Sequence, residues 1–285
     1  MAIVSHFLSL VMTTDVGRSV RLLPTRHESG AMNMALDAVA AETVSQGGPA
    51  SVRVYGWEPS TLSLGYAQDP ETIDWAFCET EGIEVTRRPT GGGAIYHDAL
   101  GDVSYSIVLP RDAQPDDLLE SYHHLCDPLL SVFDTIGVTV DFATDALPAI
   151  HEPACYLREL HPAHDLVVET ADGTRKISGN AQHRQRDAIV QHGSITVHAT
   201  PQRHLACFSN PPASPTTFTD RVTGLSDLLP IDRETVIDTL EAELTSTFDA
   251  TPEDWQPEER TRAHDLVEQR FGADSWVVDR TPTEH

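Results

Sequence analysis

The sequence predicts an α+β fold built on a mixed, largely antiparallel sheet backed by helices. Two features predict it. Short segments rich in β-branched and aromatic residues follow one another between Gly and Pro punctuation, and stretches with apolar residues at steps of three and four lie outside those runs.

In chain order, Ser29 is placed to cap a helix over 29–48, with Met32, Leu36 and Val39 on one face and Gly47-Gly48 ending it. Strands are read at 51–57, 61–66, 83–88, 93–97 and 102–110. A second helix over 116–136 keeps Leu118, Tyr122, Leu125, Leu129, Val132 and Ile136 in step, and Pro128 is expected to kink or split it. Strands follow at 138–142, 165–170 and 175–178, the last two joined as a hairpin through Ala171-Asp172-Gly173, and another strand or strand pair covers 188–198. A Pro/Ser/Thr-rich loop over 209–220 precedes two helices, one carrying Val236, Leu240, Leu244 and Phe248, the other from about Pro257 to Phe271.

The chain of 285 residues holds 44 acidic and 19 basic residues, for a formal charge of −25. Lys176 is its one lysine; the other basic residues are arginines. That balance is expected of a protein adapted to high intracellular salt, plausibly from a halophilic archaeon, where carboxylates keep the surface hydrated and repulsion is screened. An acidic surface argues against nucleic-acid binding, which needs a basic stripe. Cys78, Cys126, Cys155 and Cys207 form no CxxC pair, so neither a zinc knuckle nor a disulfide framework is expected, and the compartment reads as reducing cytoplasm. The apolar opening is too short to span a bilayer and lacks a basic n-region, with Met12 as an alternative initiator.

Three segments carry chemistry. In "RRPTGGGAIYHD", residues 87–98, three glycines between strands weaken a sheet and call for a reason: close approach of backbone to a ligand, or a flexible hairpin. Arg87 and Arg88 stand beside that loop, where a guanidinium can bind a phosphate or carboxylate. In "TRKISGNAQ", Lys176 lies on a strand between glycine turns, suited to aim a point charge at a phosphate or a developing oxyanion. In "QHGSI", His192-Gly193 interrupts an apolar strand, as a structural histidine or a functional one. His161 and His164 in "HPAH" lack the helical spacing of a zinc site, and no metal is assigned.

Taken together and in this order, these segments resemble the lipoate-protein ligase and octanoyltransferase family, relatives of biotin-protein ligases. The resemblance implies a sheet akin to the catalytic core of class II aminoacyl-tRNA synthetases. On that basis 1–20 is an uncertain extension, 21–205 the catalytic domain, and 206–285 a C-terminal helical segment able to form a small cap. It also implies attachment of a lipoyl or octanoyl chain to a lysine on lipoyl domains of 2-oxoacid dehydrogenase acyltransferase subunits and on the glycine-cleavage H protein. Residue by residue, it implies that Gly91, Gly92 and Gly93 line the acyl tunnel and that Arg87 holds the activated carboxyl or phosphate end. It further implies that Lys176 contacts the acyl carbonyl and the phosphate and stabilises the oxyanion, and that His97, Ser178, Gly179, Gln182, His192 and Gly193 complete the substrate site.

Two chemistries share such a scaffold. A ligase activates free lipoate with ATP and Mg2+, the metal held mostly by phosphate and water, and the full triple glycine and "YHD" favour it. A transferase takes octanoyl from acyl carrier protein through an enzyme thioester and needs no nucleotide; Cys155, shortly before the strand leading to Lys176, is the candidate nucleophile, or else a small buried hydrophobe. The sequence weighs slightly towards the ligase. A third reading is a non-catalytic accessory subunit, which the joint presence of Arg87, the glycines and Lys176 disfavours.

Overall fold

The computed structural model describes residues 19–161 and 164–281; the N-terminal extension read from the sequence lies almost wholly outside them. In chain order the strands are β1 (Val20–Glu28), β2 (Ala50–Trp57), β3 (Thr61–Leu64), β4 (Glu84–Arg87), β5 (Ile95–His97), β6 (Asp102–Pro110), β7 (Asp141–Phe142), β8 (Asp165–Thr170), β9 (Gly173–Arg184), β10 (Ala188–Thr196) and β11 (Thr251–Pro252). The helices are α1 (Gly30–Ser45), α2 (Trp75–Thr80), α3 (Leu118–Ile136), α4 (Pro201–Ala206), α5 (Pro215–Thr219), α6 (Arg233–Phe248), α7 (Pro257–Leu266) and α8 (Asp274–Val277).

The large sheet has the order β11-β1-β2-β6-β10-β9-β8-β7. Its β11–β1 and β1–β2 pairings are parallel and the rest antiparallel. A small sheet β4-β3-β5 stands beside it. The expected α+β architecture with a mainly antiparallel sheet is what forms.

Strand alternation decides the layers. Val52 and Val54 of β2, with Val103, Tyr105, Ile107 and Leu109 of β6, enter one core with α3 and α6. Tyr55, Trp57, Val108 and Val190 enter a second core with α1 and α7. Ser29 caps α1 by accepting from Met32 N, and the chain leaves the helix through Gly47 at φ +87°. Arg53, on the α1 side of β2, is kept buried by a fork onto Asp37 Oδ1 at 2.7 and 3.1 Å.

Two expectations change. Pro128 does not split α3, which runs as one helix from Leu118 to Ile136. Leu125, Leu129, Val132 and Phe133 are fully buried around it, and their burial outweighs the roughly 3 kcal/mol that an interior proline costs. Nor does the segment after 205 stand apart as a cap. Val236, Leu240, Leu244 and Phe248 fill the first core; Trp255, Leu266, Phe271 and Trp276 fill the second; and Thr251-Pro252 adds an edge strand to β1. Its apolar faces have no core of their own to bury, so they close both faces of the sheet. The loop read over 209–220 also contains the short helix α5.

Candidate functional site

Where β8 and β9 meet, the ladder slips by one residue. Leu166 pairs with Ser178 but Val167 pairs with Lys176, so three consecutive residues of β9 face two of β8. In a regular strand, positions 176 and 179 point to opposite faces. The slip, which acts as a β-bulge, brings Lys176 onto the face of Gly179 and Asp165, themselves a pair in the ladder. Ile177 is left in the core under α3. A Cβ on Gly179 would lie 3.1 Å from Lys176 Cε and 3.2 Å from Nζ, so a side chain there would press on the ammonium.

Lys176 Nζ lies 2.6 Å from Asp165 Oδ1, with side chains 5% and 2% exposed, and 4.0 Å from Cys155 Sγ. Burial acts against the charge of Lys176, but Asp165 and then Cys155 outweigh it and hold the ammonium above the usual lysine range. Burial would likewise raise Asp165; Lys176 and His164 prevail, and the carboxyl sits well below the usual carboxylate range. The other carboxylate oxygen accepts from His161 N at 2.8 Å.

Cys155 is half-buried, whereas Cys78, Cys126 and Cys207 are buried. Burial pushes the Cys126 thiol up to about 12, which removes it as a nucleophile. The Cys155 segment is strapped to the glycine loop: Cys155 N donates to Ala94 O and Ala94 N to Pro153 O, both at 2.7 Å. Gly93 permits this approach, since a Cβ on it would come within 2.6 Å of Pro153 O and 2.9 Å of Cys155 N.

These groups border a cavity of about 350 Å³, within the range of small-ligand sites. Its apolar wall is Met34, Tyr55, Trp57, Ile95 and Tyr122; its polar wall includes Arg88, Cys155, Lys176, Asp165, Asn180 and His164. A buried hydrogen-bonded chain runs along one side: Ser63 Oγ meets His97 Nε2 at 3.0 Å, and His97 Nδ1 meets Asp102 Oδ2 at 2.5 Å. The His97 ring stacks on Trp57 with centroids 4.0 Å apart. Burial pushes this histidine below its usual range in spite of Asp102.

Of the residues singled out from sequence, Cys155, Lys176, Gly91, Gly92, His97, Gly179, Gln182, His192 and Gly193 all line this cavity. Three do not. Gly93 faces the Cys155 strap and not the tunnel. Ser178 is fully buried on the far side of the slipped register, paired with Leu166 of the first core. Arg87 turns away from the cavity: its Nε donates to Val277 O at 2.9 Å and its Nη1 to Gly65 O and Gln68 O at 2.8 Å. It therefore staples the C-terminal segment to the turn after β3, and cannot hold a carboxyl group from there. Its neighbour Arg88 reaches the cavity, donating to Ser63 O, Gly91 O and Gly93 O at 2.7–2.8 Å.

His192 is fixed by Thr90 Oγ1 at 2.9 Å and Asp37 Oδ2 at 3.3 Å. Gly193 leaves room for Asn180, whose Oδ1 would lie 2.2 Å from a Cβ there. Asn180 uses that room to accept from Tyr105 Oη at 2.7 Å and donate to His164 O at 2.9 Å. The sequence reading missed Asp165, Asn180, Tyr122 and Trp57. A signal existed for Asp165: it opens the strand read as the hairpin partner of the one carrying Lys176, where a buried ammonium would need a carboxylate.

Comparison with known proteins fits this arrangement. Residues 29–245 match the family model described as "Lipoyl protein ligase A/B catalytic domain". Octanoyltransferase LipM of Kyrpidia tusciae is 32% identical over 275 residues, covering 90% of this chain and 97% of that protein. Octanoyltransferase LipM of Bacillus subtilis is 27% identical over 282 residues, covering 91% and 98%. Among solved structures, the bipartite lipoate protein ligase of Thermoplasma acidophilum superposes with a TM-score of 0.76 at 21% identity, covering 94% of this chain and 98% of that one, and so shares the fold. With the matched model spanning most of the chain and a relative of this identity aligned nearly end to end, the protein belongs to the lipoyl protein ligase A/B catalytic-domain family.

Proposed function

We propose that this protein is an octanoyltransferase, moving an octanoyl group from acyl carrier protein to the acceptor lysine of lipoyl domains through a thioester on Cys155. The acceptors are those of 2-oxoacid dehydrogenase acyltransferase subunits and the glycine-cleavage H protein. The observation that carries the reading is the trio Cys155, Lys176 and Asp165: an accessible sulfur 4.0 Å from a buried ammonium that a carboxylate holds charged, all on one cavity wall. The names of the Kyrpidia and Bacillus relatives support the same choice, so it stands ahead of the ligase reading that the sequence slightly favoured.

In the first step the Cys155 sulfur attacks the carbonyl carbon of the donor thioester; the new C–S bond replaces the old one, and the proton lost by the Cys155 thiol ends on the departing carrier sulfur. In the second, the acceptor amine attacks the Cys155 thioester, an amide forms, and the sulfur leaves. Both steps build negative charge on the carbonyl oxygen and on sulfur beside the same ammonium. Exchange between thioesters requires no activation, and aminolysis of a thioester is downhill, so neither step calls for ATP.

The test is a gel-shift or mass assay on an apo lipoyl domain in molar salt. One tube holds octanoyl-acyl carrier protein without nucleotide, the other lipoate, ATP and Mg2+; each is run with wild type, Cys155→Ala and Lys176→Ala. Modification in the first tube, abolished by either substitution, is expected. Modification only in the second, surviving Cys155→Ala, makes the protein a ligase and reduces Cys155 to packing.

A further inference from the structure

The second step raises a problem that Cys155, Lys176 and Asp165 do not solve. A lysine side chain with an ordinary pKa of about 10.4 is neutral in about one molecule in 2,500 at pH 7, and its ammonium form cannot attack a carbonyl. A group on the cavity that takes that proton as the amine attacks would speed the step. Lys176 cannot, because Asp165 holds it protonated. His97 and His192 line the cavity but are each engaged at both ring nitrogens.

His164 is differently placed. Its Nδ1 faces Asp165 Oδ1 at 3.4 Å, the same oxygen that holds Lys176, and its side chain is 33% exposed on the cavity wall. With Nδ1–H directed at the carboxylate, Nε2 carries the lone pair, and among the described residues no partner takes Nε2. The ring lies parallel to His161 with centroids 4.8 Å apart and is flanked by the Tyr122 ring of α3 at 5.5 Å. Its carbonyl is tied down by Asn180 Nδ2 at 2.9 Å. A base whose other nitrogen is oriented by a buried carboxylate, within the cavity that holds the nucleophile, has the layout required of a general base.

We propose that His164 is the general base that deprotonates the acceptor lysine as it attacks the Cys155 thioester. This rests on the transferase reading above. The step balances as follows. One proton of the acceptor ammonium passes to His164 Nε2; the amine nitrogen bonds to the carbonyl carbon; the C–S bond breaks; and a second proton, lost from nitrogen as the adduct collapses, goes to the departing Cys155 sulfur. The products are the amide, the Cys155 thiol and a protonated His164, which returns its proton to water. Asp165 then serves both halves of the reaction, holding Lys176 charged and His164 oriented.

The experiment isolates the second step. Wild-type enzyme, the His164→Gln variant and a Glu159→Gln variant, which removes another carboxylate bordering the same cavity, are loaded with octanoyl from an octanoyl thioester. Each purified acyl-enzyme is then discharged in single turnover by an apo lipoyl domain, or by hydroxylamine, which is already neutral at pH 7. The groups facing His164 are Asp165, Lys176, His161 and Tyr122, so pH is varied with hydroxylamine run in parallel to cancel their titration. Expected is a loss of about 10²–10⁴-fold in transfer to the lipoyl domain for His164→Gln at pH 7. That loss should shrink as pH approaches the pKa of the acceptor lysine, while discharge by hydroxylamine stays within a few-fold of wild type. Equal losses with both nucleophiles, no loss with either, or a loss confined to Glu159→Gln overturns the proposal, as does a His164→Gln enzyme that cannot be loaded at all. Failure of the wild type to load on Cys155 instead refutes the transferase reading itself.

Discussion

Replacing Asp165 by Asn keeps the shape of the side chain and removes the charge that holds Lys176. The two groups are 2.6 Å apart and both are at least 95% buried. Breaking such a pair from one side costs about 3–5 kcal/mol, because the remaining charge is left desolvated. The Asn amide has one oxygen where Asp165 uses two, so it can accept from Nζ or from His161 N but turns its NH2 towards the other donor, and the upper part of that range, about 4–5 kcal/mol, is the expectation. Part of that cost is avoidable if Lys176 gives up its proton, and this supplies a second readout. In the native protein the raised pKa of Lys176 contributes stability that is fully present below the ordinary lysine value of about 10.4 and is lost as pH rises through the folded value. The depressed pKa of Asp165 contributes stability present above about 3.9 and lost as pH falls through its folded value. The pair is therefore intact from about pH 5 to pH 9, and native activity carries no limb from Lys176 in that window. In Asp165→Asn only Cys155 still opposes burial, the lysine pKa falls, and single-turnover acylation of Cys155 should decline as pH rises towards 9. Urea unfolding at pH 7 and acylation rates across pH 5–9 measure both effects. A variant within about 0.5 kcal/mol of the native stability, with an acylation profile that superimposes on the native one, refutes the reasoning.

Gly93→Ala should cost about 1–3 kcal/mol by overpacking and slow Cys155 acylation more than ten-fold, because the new Cβ would push on Pro153 O and Cys155 N; trapping of the sulfur by iodoacetamide reports the displacement. Arg87→Met should lower stability by about 2–4 kcal/mol by orphaning buried carbonyls, with acylation of the folded fraction within three-fold of native, since Arg87 lies off the cavity; urea melts and burst amplitudes separate the two. His204 is buried among Tyr156, Phe208 and Phe218, and burial, helped by His97 and His151, pushes its pKa down to about 3. Its neutral form therefore supports the fold above the ordinary value of about 6.5, and stability falls by up to about 1.4 kcal/mol per pH unit as pH drops from there towards 3. Melts between pH 7 and 4 should show a shallower acid slope in His204→Leu.

The sheet and its covering helices were legible because they follow from alternation and from periods of three and four, which depend on nothing remote. The end of the β2–β6 strand pair, the Ser29 cap and the Gly47 exit are of this kind. What escaped the sequence was set by register and by long-range closure. The one-residue slip at Lys176 reverses which neighbours share its face, and nothing in "TRKISGNAQ" announces it; for that reason Ser178 looked like a site residue and Asp165 did not. Arg87 ends β4 and Arg88 follows it pointing the other way, but only the packing of α8 against β4 decides which one reaches the cavity. The C-terminal helices looked detachable because their apolar faces are legible and the surfaces they cover are not. Gly93 was read as a tunnel wall when its missing side chain makes way for the strap that carries Cys155, a contact between segments some sixty residues apart.

The central claim is that Cys155 carries the acyl group. The most direct measurement is intact-protein and peptide mass analysis of the enzyme after brief mixing with octanoyl-acyl carrier protein, nucleotide absent and the reaction quenched in acid. The account predicts one octanoyl group on the peptide containing Cys155, absent from Cys155→Ala and discharged on adding an apo lipoyl domain. An unmodified Cys155, in an enzyme that still modifies the lipoyl domain when given ATP and free lipoate, would contradict it.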